Sequence, residues 1–300
     1  MRSGWPNGTY RKAVAFGRWA ARQVGGGDLL IAWAQFALEA CRVAKKLGIP
    51  AIVVRQSSHI LHQIAVLRLP RTPLVERELE EYNLADHIEV PTQLAKKTFV
   101  YYGVPEEKLV VVPPVGIDPK RFYPAWGPPK EFRAITVGVS RRKGTRIACE
   151  AAQMAQVPLW VVGQPDVPIQ PFRDRFGPSV EFLGPVSQQR LAQLYREASV
   201  ALIPSLEEGL AHSVVEALAS GLPVIASVES GTGEVIEHGR EGWLIIHTDY
   251  EMAAEYLWRL KASEVLRTRM SAAAVETGRK WGWDQYGERA FAAYQRILNP

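Results

Sequence analysis

Short apolar runs alternate with amphipathic, helix-length segments along most of this 300-residue chain, and that alternation leaves few folds open. Runs such as Ala51-Ile-Val-Val54 and Val200-Ala-Leu-Ile203 are apolar at every position. They read as strands buried on both faces, and strands of that kind separated by helices build parallel sheets from βαβ units. In the first half the pattern predicts strands at residues 29–33, 51–55, 87–91 and 109–113, with helices at 10–24, 36–47, 72–84 and 93–102. Gly48 and Gly103 fall where helices should stop. In the second half it predicts strands at 133–137, 159–162, 180–183, 200–204, 223–226 and 242–246. Helices are predicted at 145–155, 187–197 and 211–220, with a short one near 234–237 and long ones to the C-terminus.

The segment Phe122-Tyr-Pro-Ala-Trp-Gly-Pro-Pro129 separates two similar runs of alternation and reads as a linker. The expected class is therefore α/β: two doubly wound, Rossmann-like domains in tandem. The expected divisions are 1–122, 123–282, and a C-terminal helix at 283–300 that crosses back to the first domain. A groove between such domains is the usual place for a ligand.

Composition narrows the function classes. The chain is 47% hydrophobic and 22% charged, as folded proteins are. No apolar run approaches the ~20 residues needed to cross a bilayer. The polar N-terminus lacks the apolar core of a secretory signal, so a cytoplasmic location is expected. Cys41 and Cys149 lie far apart in helix-like runs and read as buried thiols, and no His/Cys cluster has metal-ligand spacing. The net charge of +5 is uneven: residues 1–122 carry 17 basic and 11 acidic side chains, the remainder 19 and 20. A basic first half suits an anionic membrane or acidic polymer, the first as a peripheral contact. The basic residues are scattered without interleaved aromatics, so no nucleic-acid partner is expected.

One stretch concentrates the chemistry: Pro204-Ser-Leu-Glu-Glu-Gly-Leu-Ala-His-Ser-Val-Val-Glu216, followed by Ala-Leu-Ala-Ser-Gly-Leu-Pro-Val-Ile-Ala-Ser227. A strand ending at Pro204 delivers this loop to the carboxyl edge of the sheet, where ligands bind in such folds. Gly209 permits close backbone approach. The N–H groups of Gly209, Leu210 and Ala211 are expected to lack helical partners and to face a phosphate or sugar oxygen. Glu216 should lean back toward the helix N-terminus, where an ionised carboxylate accepts two hydroxyls at once. Val137-Gly-Val-Ser-Arg-Arg-Lys-Gly-Thr145 follows the first strand of the second domain. There Arg142 and Lys143 can reach a diphosphate, and Gly138 and Gly144 allow close approach. His59 follows the strand at 51–55 and is a candidate to face the second domain. Ser230-Gly-Thr-Gly-Glu234 is a turn that lines the same edge or only reverses the chain.

Together these segments resemble the retaining glycosyltransferases of family 4, with the GT-B fold and a shortened N-terminal domain. The most specific piece is Glu208-x7-Glu216, flanked by Pro204-Ser205 and Gly221-Leu-Pro-Val224. Phe182-Leu-Gly-Pro-Val186, Pro113-Pro-Val-Gly-Ile-Asp118 and Gly239-Arg-Glu-Gly242 support it. Val139 departs from it, standing where many members carry Arg. The resemblance implies a retaining, metal-independent hexosyltransferase whose donor is a nucleotide-diphosphate sugar and which needs no cofactor. The acceptor, whether a saccharide, a lipid-linked molecule or another, stays open. It implies that Glu216 holds the ribose hydroxyls, that Arg142 and Lys143 neutralise the diphosphate, and that Glu208 with the 209–211 backbone meets the transferred sugar. Gly138, Gly163, Leu183 and Gly184 would line the donor, and His59 would hydrogen-bond the sugar near the reacting carbon. The alternative of another class is a donor-binding module without transfer, serving assembly or regulation.

Overall fold

The computed structural model describes residues 7–299 apart from 126, 128 and 130, with side chains from Thr9 onward. The expected linker at 122–129 therefore lies partly outside the described residues. The chain forms two compact α/β units: residues 1–114 with 287–300, and residues 115–286. The packing divides the chain before the expected boundary at 122, because Phe122 is buried in the core of the second unit and packs against Tyr195.

In the first unit, strands β1 (Leu30–Trp33), β2 (Ala51–Val54), β3 (His87–Val90) and β4 (Leu109–Val111) form a parallel sheet in the order β1-β2-β3-β4. Helix α1 (Asn7–Ala21) precedes it, and α2 (Leu38–Leu47), α3 (Ile60–Leu67), α4 (Pro73–Leu84) and α5 (Gln93–Tyr101) connect the strands. β2 is buried at all four positions, as its apolar run predicted. β1 is the edge strand, with Ile31 44% and Trp33 55% exposed. Gly48 ends α2 at φ +71°, a left-handed conformation that glycine adopts without a Cβ clash. The N-terminus of α2 is held from α4: the Glu81 carboxylate accepts the N–H groups of Ala37 and Leu38 at 3.0 Å each. Burial raises that carboxyl to about 7 despite these donors and Arg77.

In the second unit, β5 (Ala134–Val139), β6 (Leu159–Pro165), β7 (Val180–Gly184), β8 (Val200–Ile203), β9 (Val224–Ser227) and β10 (Gly242–Ile245) form a parallel sheet in the order β10-β9-β8-β5-β6-β7. Helices α6 (Thr145–Met154), α7 (Gln170–Phe176), α8 (Gln188–Glu197), α9 (His212–Ala219), α10 (Tyr250–Ala262) and α11 (Glu264–Gly278) make the crossovers and the C-terminal flank. The sheet grows one way from β5 to β7 and the other way from β8 to β10, so the order reverses between β5 and β8. At that reversal, crossovers leave to opposite faces and open a crevice at the strands' carboxyl ends. The last helix, α12 (Trp283–Leu298), begins in the second unit and passes to the first at Gly287. Within the first unit its Tyr294 hydroxyl donates to Glu89 at 2.5 Å.

Three local expectations change. The short helix expected near 234–237 is instead one 3-10 turn, Thr232–Glu234, and Gly231 at φ +73° separates it from a second, Val228–Ser230. Helices α3 and α7 were not expected: α3 is only eight residues of mostly apolar sequence directly after a strand and its loop, and two prolines surround the start of α7.

Candidate functional site

The two loops that hold the candidate residues leave the sheet side by side, after β5 and after β8, at the point where the strand order reverses. They touch through backbone. The Leu206 N–H donates to the Arg142 carbonyl at 2.8 Å. Gly144 has φ +67°, and a Cβ there would sit 1.9 Å from the Pro204 carbonyl oxygen. Only glycine lets the loops approach so closely. The Ser140–Gly144 turn is fixed from within: the Thr145 hydroxyl accepts from the Ser140 N–H at 2.9 Å, and the Ser140 hydroxyl accepts from the Lys143 N–H at 3.0 Å.

This contact brings the predicted basic and acidic residues together. Lys143 Nζ donates to both Glu208 carboxylate oxygens at 2.8 Å. The Ser205 hydroxyl, fully buried, donates to Glu208 Oε1 at 2.7 Å. Arg142 Nε donates to the carbonyl of Glu207 at 2.9 Å and to its Oε2 at 3.1 Å. Glu207 was not singled out from the sequence; the Glu-Glu doublet was its only signal, and the structure shows it fixing Arg142.

Glu216 lies on α9, whose surface is otherwise nearly all buried. Its Oε2 accepts the buried Tyr195 hydroxyl at 3.3 Å. Burial pushes the Glu216 carboxyl up to about 7, against the opposing effects of the Tyr195 hydrogen bond and the Lys143 and Arg121 charges. The carboxyl is therefore poised near neutrality beside the Lys143–Glu208 pair. Tyr195 escaped the sequence reading because it looks like one more apolar position of α8.

The loop after β9 braces the loop after β8. The Glu208 N–H donates to the Glu229 carbonyl at 2.9 Å, and the Ala211 N–H to the Ser230 carbonyl at 3.0 Å. A Cβ on Gly231 would meet the Gly209 carbonyl oxygen at 2.0 Å. The Ser230-Gly-Thr-Gly turn, read as ambiguous, is thus a clamp. Past β10, the His247 ring and N–H engage Glu229 at 2.9 and 3.1 Å. This corrects one expectation: the Ala211 N–H is committed to Ser230 rather than presented to a ligand. The Leu210 side chain belongs to the core.

The remaining donor-lining candidates lie around the same sheet edge. Gly138, at φ +103°, would bring a Cβ within 2.4 Å of Lys143 Cγ, so its missing side chain lets Lys143 lie across β5. Gly163, in β6, faces Gly138 at a shift in the β5–β6 register. Leu183 packs partly against the core, and Gly184 ends β7 at φ +70°. Among the described residues, no group of three or more His, Cys, Asp or Glu side chains is placed to hold a metal ion.

His59 belongs to the first unit, and its environment differs from the one expected. It is 2% exposed and caps α3, with Nδ1 accepting the Leu61 N–H at 3.2 Å. Its ring stacks on Tyr102 at 4.8 Å and meets Phe99 edge-on at 5.0 Å. Burial first, then Arg55 and His62, push its pKa down to about 4. The imidazole is neutral near pH 7, and its accepting Nδ1 leaves the proton on Nε2. Within this unit His59 is a helix cap in an aromatic cage.

Comparison with known proteins bears on the same half of the chain. Residues 131–262 match the family model described as Glycosyl transferases group 1. The match spans the loops after β5, β6, β7, β8, β9 and β10. A D-inositol 3-phosphate glycosyltransferase of a Nocardioides species is 33% identical over 120 residues, which is 40% of this chain and 26% of that protein. The chain spans less than half the length of the curated relatives it matches. Likeness to solved structures extends further. A sucrose-phosphate synthase from Thermosynechococcus elongatus superposes with a TM-score of 0.77 at 20% identity, covering 98% of this chain and 80% of the other. Anabaena HepE, solved in complex with UDP, gives 0.76 at 17% identity, covering 95% and 82%. At these identities the likeness shows the fold: two Rossmann-like units of the GT-B kind.

Proposed function

We propose that this chain is a glycosyltransferase that binds a nucleotide-diphosphate sugar at the β5/β8 edge and transfers its hexosyl group with retention of configuration. The observation that carries the reading is the Lys143–Glu208 pair at the reversal of strand order, with Glu216 within electrostatic reach. On this reading the donor's diphosphate takes over Lys143 from Glu208 and draws on Arg142, and Glu208 turns to the sugar hydroxyls. An ionised Glu216 accepts the two ribose hydroxyls. Gly138, Gly163, Leu183 and Gly184 leave room for the nucleoside. The group 1 match, the inositol phosphate glycosyltransferase relative and the UDP-bound structural neighbour support it.

The chemistry follows from charge. As the sugar–phosphate bond breaks, negative charge grows on the leaving diphosphate, and a cation already in place stabilises it without reorganisation. Lys143 supplies that charge, so transfer needs no metal ion. The leaving phosphate oxygen, on the face where the acceptor attacks, removes the acceptor proton. The test is incubation with UDP-sugars and candidate acceptors with excess EDTA present, with product anomers read by NMR. Inverted product, or a strict metal requirement, would overturn these parts of the reading.

A second reading, a module that binds donor without transferring it, is favoured by the near-complete burial of His59. It expects UDP-sugar binding with neither transfer nor slow donor hydrolysis. Donor hydrolysis above the uncatalysed rate would remove it.

A further inference from the structure

Helix α1 and the edge strand β1 expose a surface that the donor chemistry does not use. Tyr10, Phe16 and Trp19 of α1 are 41, 50 and 56% exposed, and Ile31 and Trp33 of β1 are 44 and 55% exposed. These side chains are not scattered. Phe16 packs on Trp19 at 5.5 Å and edge-on against Phe36 at 5.7 Å, and Phe16, Trp19, Ile31 and Trp33 border one apolar hollow of about 730 Å³. Isolated exposed apolar residues need no explanation, but a continuous aromatic patch does.

Charge identifies what fits it. Between residues 1 and 38 the chain carries five basic side chains and a single acid, Asp28. Arg11, Lys12, Arg18 and Arg22 are exposed and make no ion pair among the described residues. On a 3.6-residue helix, Arg11, Arg18 and Arg22 recur at i, i+7 and i+11 and form one stripe, with Arg22 just past the helix end. Lys12, Phe16 and Trp19 recur at i, i+4 and i+7 and form a second stripe beside it. Ala13 and Gly17, on the opposite side, are the buried contacts of α1. Gly17 allows the helix to lie close over the Arg77–Glu39 pair. A protein partner would have to be both acidic and aromatic-binding. An anionic bilayer meets both stripes at once: lipid phosphates face the arginines, and the headgroup–acyl boundary takes Trp and Phe rings.

The depth is limited by β1. Leu30 and Ala34 direct their N–H groups toward β2, accepted by Pro50 and Val54, so the intervening Ile31 and Trp33 turn their backbone groups to the open edge of the sheet. Such groups need water and cannot enter hydrocarbon. Among the described residues no helix is long and apolar enough to cross a membrane. We propose that α1, with the rim of β1, docks the protein on anionic bilayers at headgroup depth, with Phe16, Trp19 and Trp33 at the interface and Arg11, Lys12, Arg18 and Arg22 on lipid phosphates. This does not depend on the reaction proposed above.

The test is co-sedimentation of the full chain with vesicles of phosphatidylcholine alone and of phosphatidylcholine with 30% phosphatidylserine. Binding to the second alone, weakening at 0.5 M salt, is expected. Each exposed basic residue near a surface contributes about 1 kcal/mol, roughly fivefold in affinity. Arg11→Glu/Arg18→Glu should therefore weaken binding by at least 25-fold without touching the aromatic packing. Phe16→Ser/Trp19→Ser should weaken it at low salt too. The proposal is overturned if wild type ignores anionic vesicles, or if the charge reversal binds as wild type does. It is also overturned if the patch proves to be covered by a second copy, seen as a dimer in sedimentation that Phe16→Ser/Trp19→Ser dissociates while vesicle binding stays unchanged.

Discussion

Consider Lys143→Ala. In the wild type the ammonium sits 2.8 Å from both Glu208 oxygens, and the Glu208 side chain is only 9% exposed. Removing one partner of a buried pair costs about 3–5 kcal/mol. Here the Lys143 side chain is 28% exposed and the Ser205 hydroxyl stays on Glu208, so water and that hydrogen bond absorb part of the loss. A fall of about 1–2 kcal/mol is expected, or about 2–8 °C in Tm for a unit of this size. Because the cost is an uncompensated carboxylate, Lys143→Ala/Glu208→Gln should recover most of it. Calorimetric melts of wild type and the two variants at pH 7.5 measure this. The ligand side is opposite in sign for the two partners. Lys143→Ala should weaken UDP binding by tenfold or more. Glu208→Gln removes the anion that competes for Lys143 and should tighten UDP by a few-fold. Equal Tm and equal UDP affinity in wild type and Lys143→Ala would refute the pair as an energetic unit and as the diphosphate site.

Three further outcomes follow from the same geometry. The Glu216 carboxyl is raised to about 7, so its neutral form favours folding, and that contribution is lost as pH rises from about 4.5 through about 7. Glu216→Gln should therefore match wild type in Tm at pH 4 and exceed it above pH 7.5, while donor affinity in wild type should rise through the same window as the carboxylate forms; parallel Tm curves would contradict this. Gly144→Ala forces a Cβ toward the Pro204 carbonyl at φ +67° and should cost at least about 2 kcal/mol, read by denaturant melts, whereas the same change at Gly184, with open space around it, should cost less. His59→Ala should lower Tm by more than the about 1 kcal/mol of the α3 cap, because the buried ring's packing on Tyr102 and Phe99 is lost as well, and His59→Asn, a good N-cap, should recover the cap's share. If His59→Asn recovers stability but loses transfer, the imidazole contributes more than a cap.

Much of the fold was legible because its signals are local. Unbroken apolar runs marked β2, β8 and β9, glycines marked the ends of α2 and α5, and α12 was placed at its observed start, Trp283. The boundary after Pro114 was not, because Phe122 looks like linker sequence and its burial depends on Tyr195, far along the chain. At the candidate site, Lys143 and Glu208 stood out by residue type in the loops after strands, and Glu216 by its place on the helix that follows. Their mutual contact depends on Gly144 closing against Pro204, which no spacing rule encodes. Glu207 and the Ser230-Gly231 clamp act through backbone partners from other loops, so they look unremarkable in sequence. The surroundings of His59 were not legible, because the aromatic rings that enclose it come from α4 and α5 and its immediate surroundings.

The central claim is that the β5/β8 edge grips an activated sugar through Lys143 and Glu216. Calorimetric titration of a panel of UDP-, GDP- and ADP-sugars into wild type and Glu216→Ala tests it most directly. The account predicts that at least one sugar nucleotide binds wild type with micromolar affinity and that Glu216→Ala, still folded by its melt, binds it tenfold or more weakly. Binding of equal strength to both proteins, or no binding of any member by wild type, would contradict it.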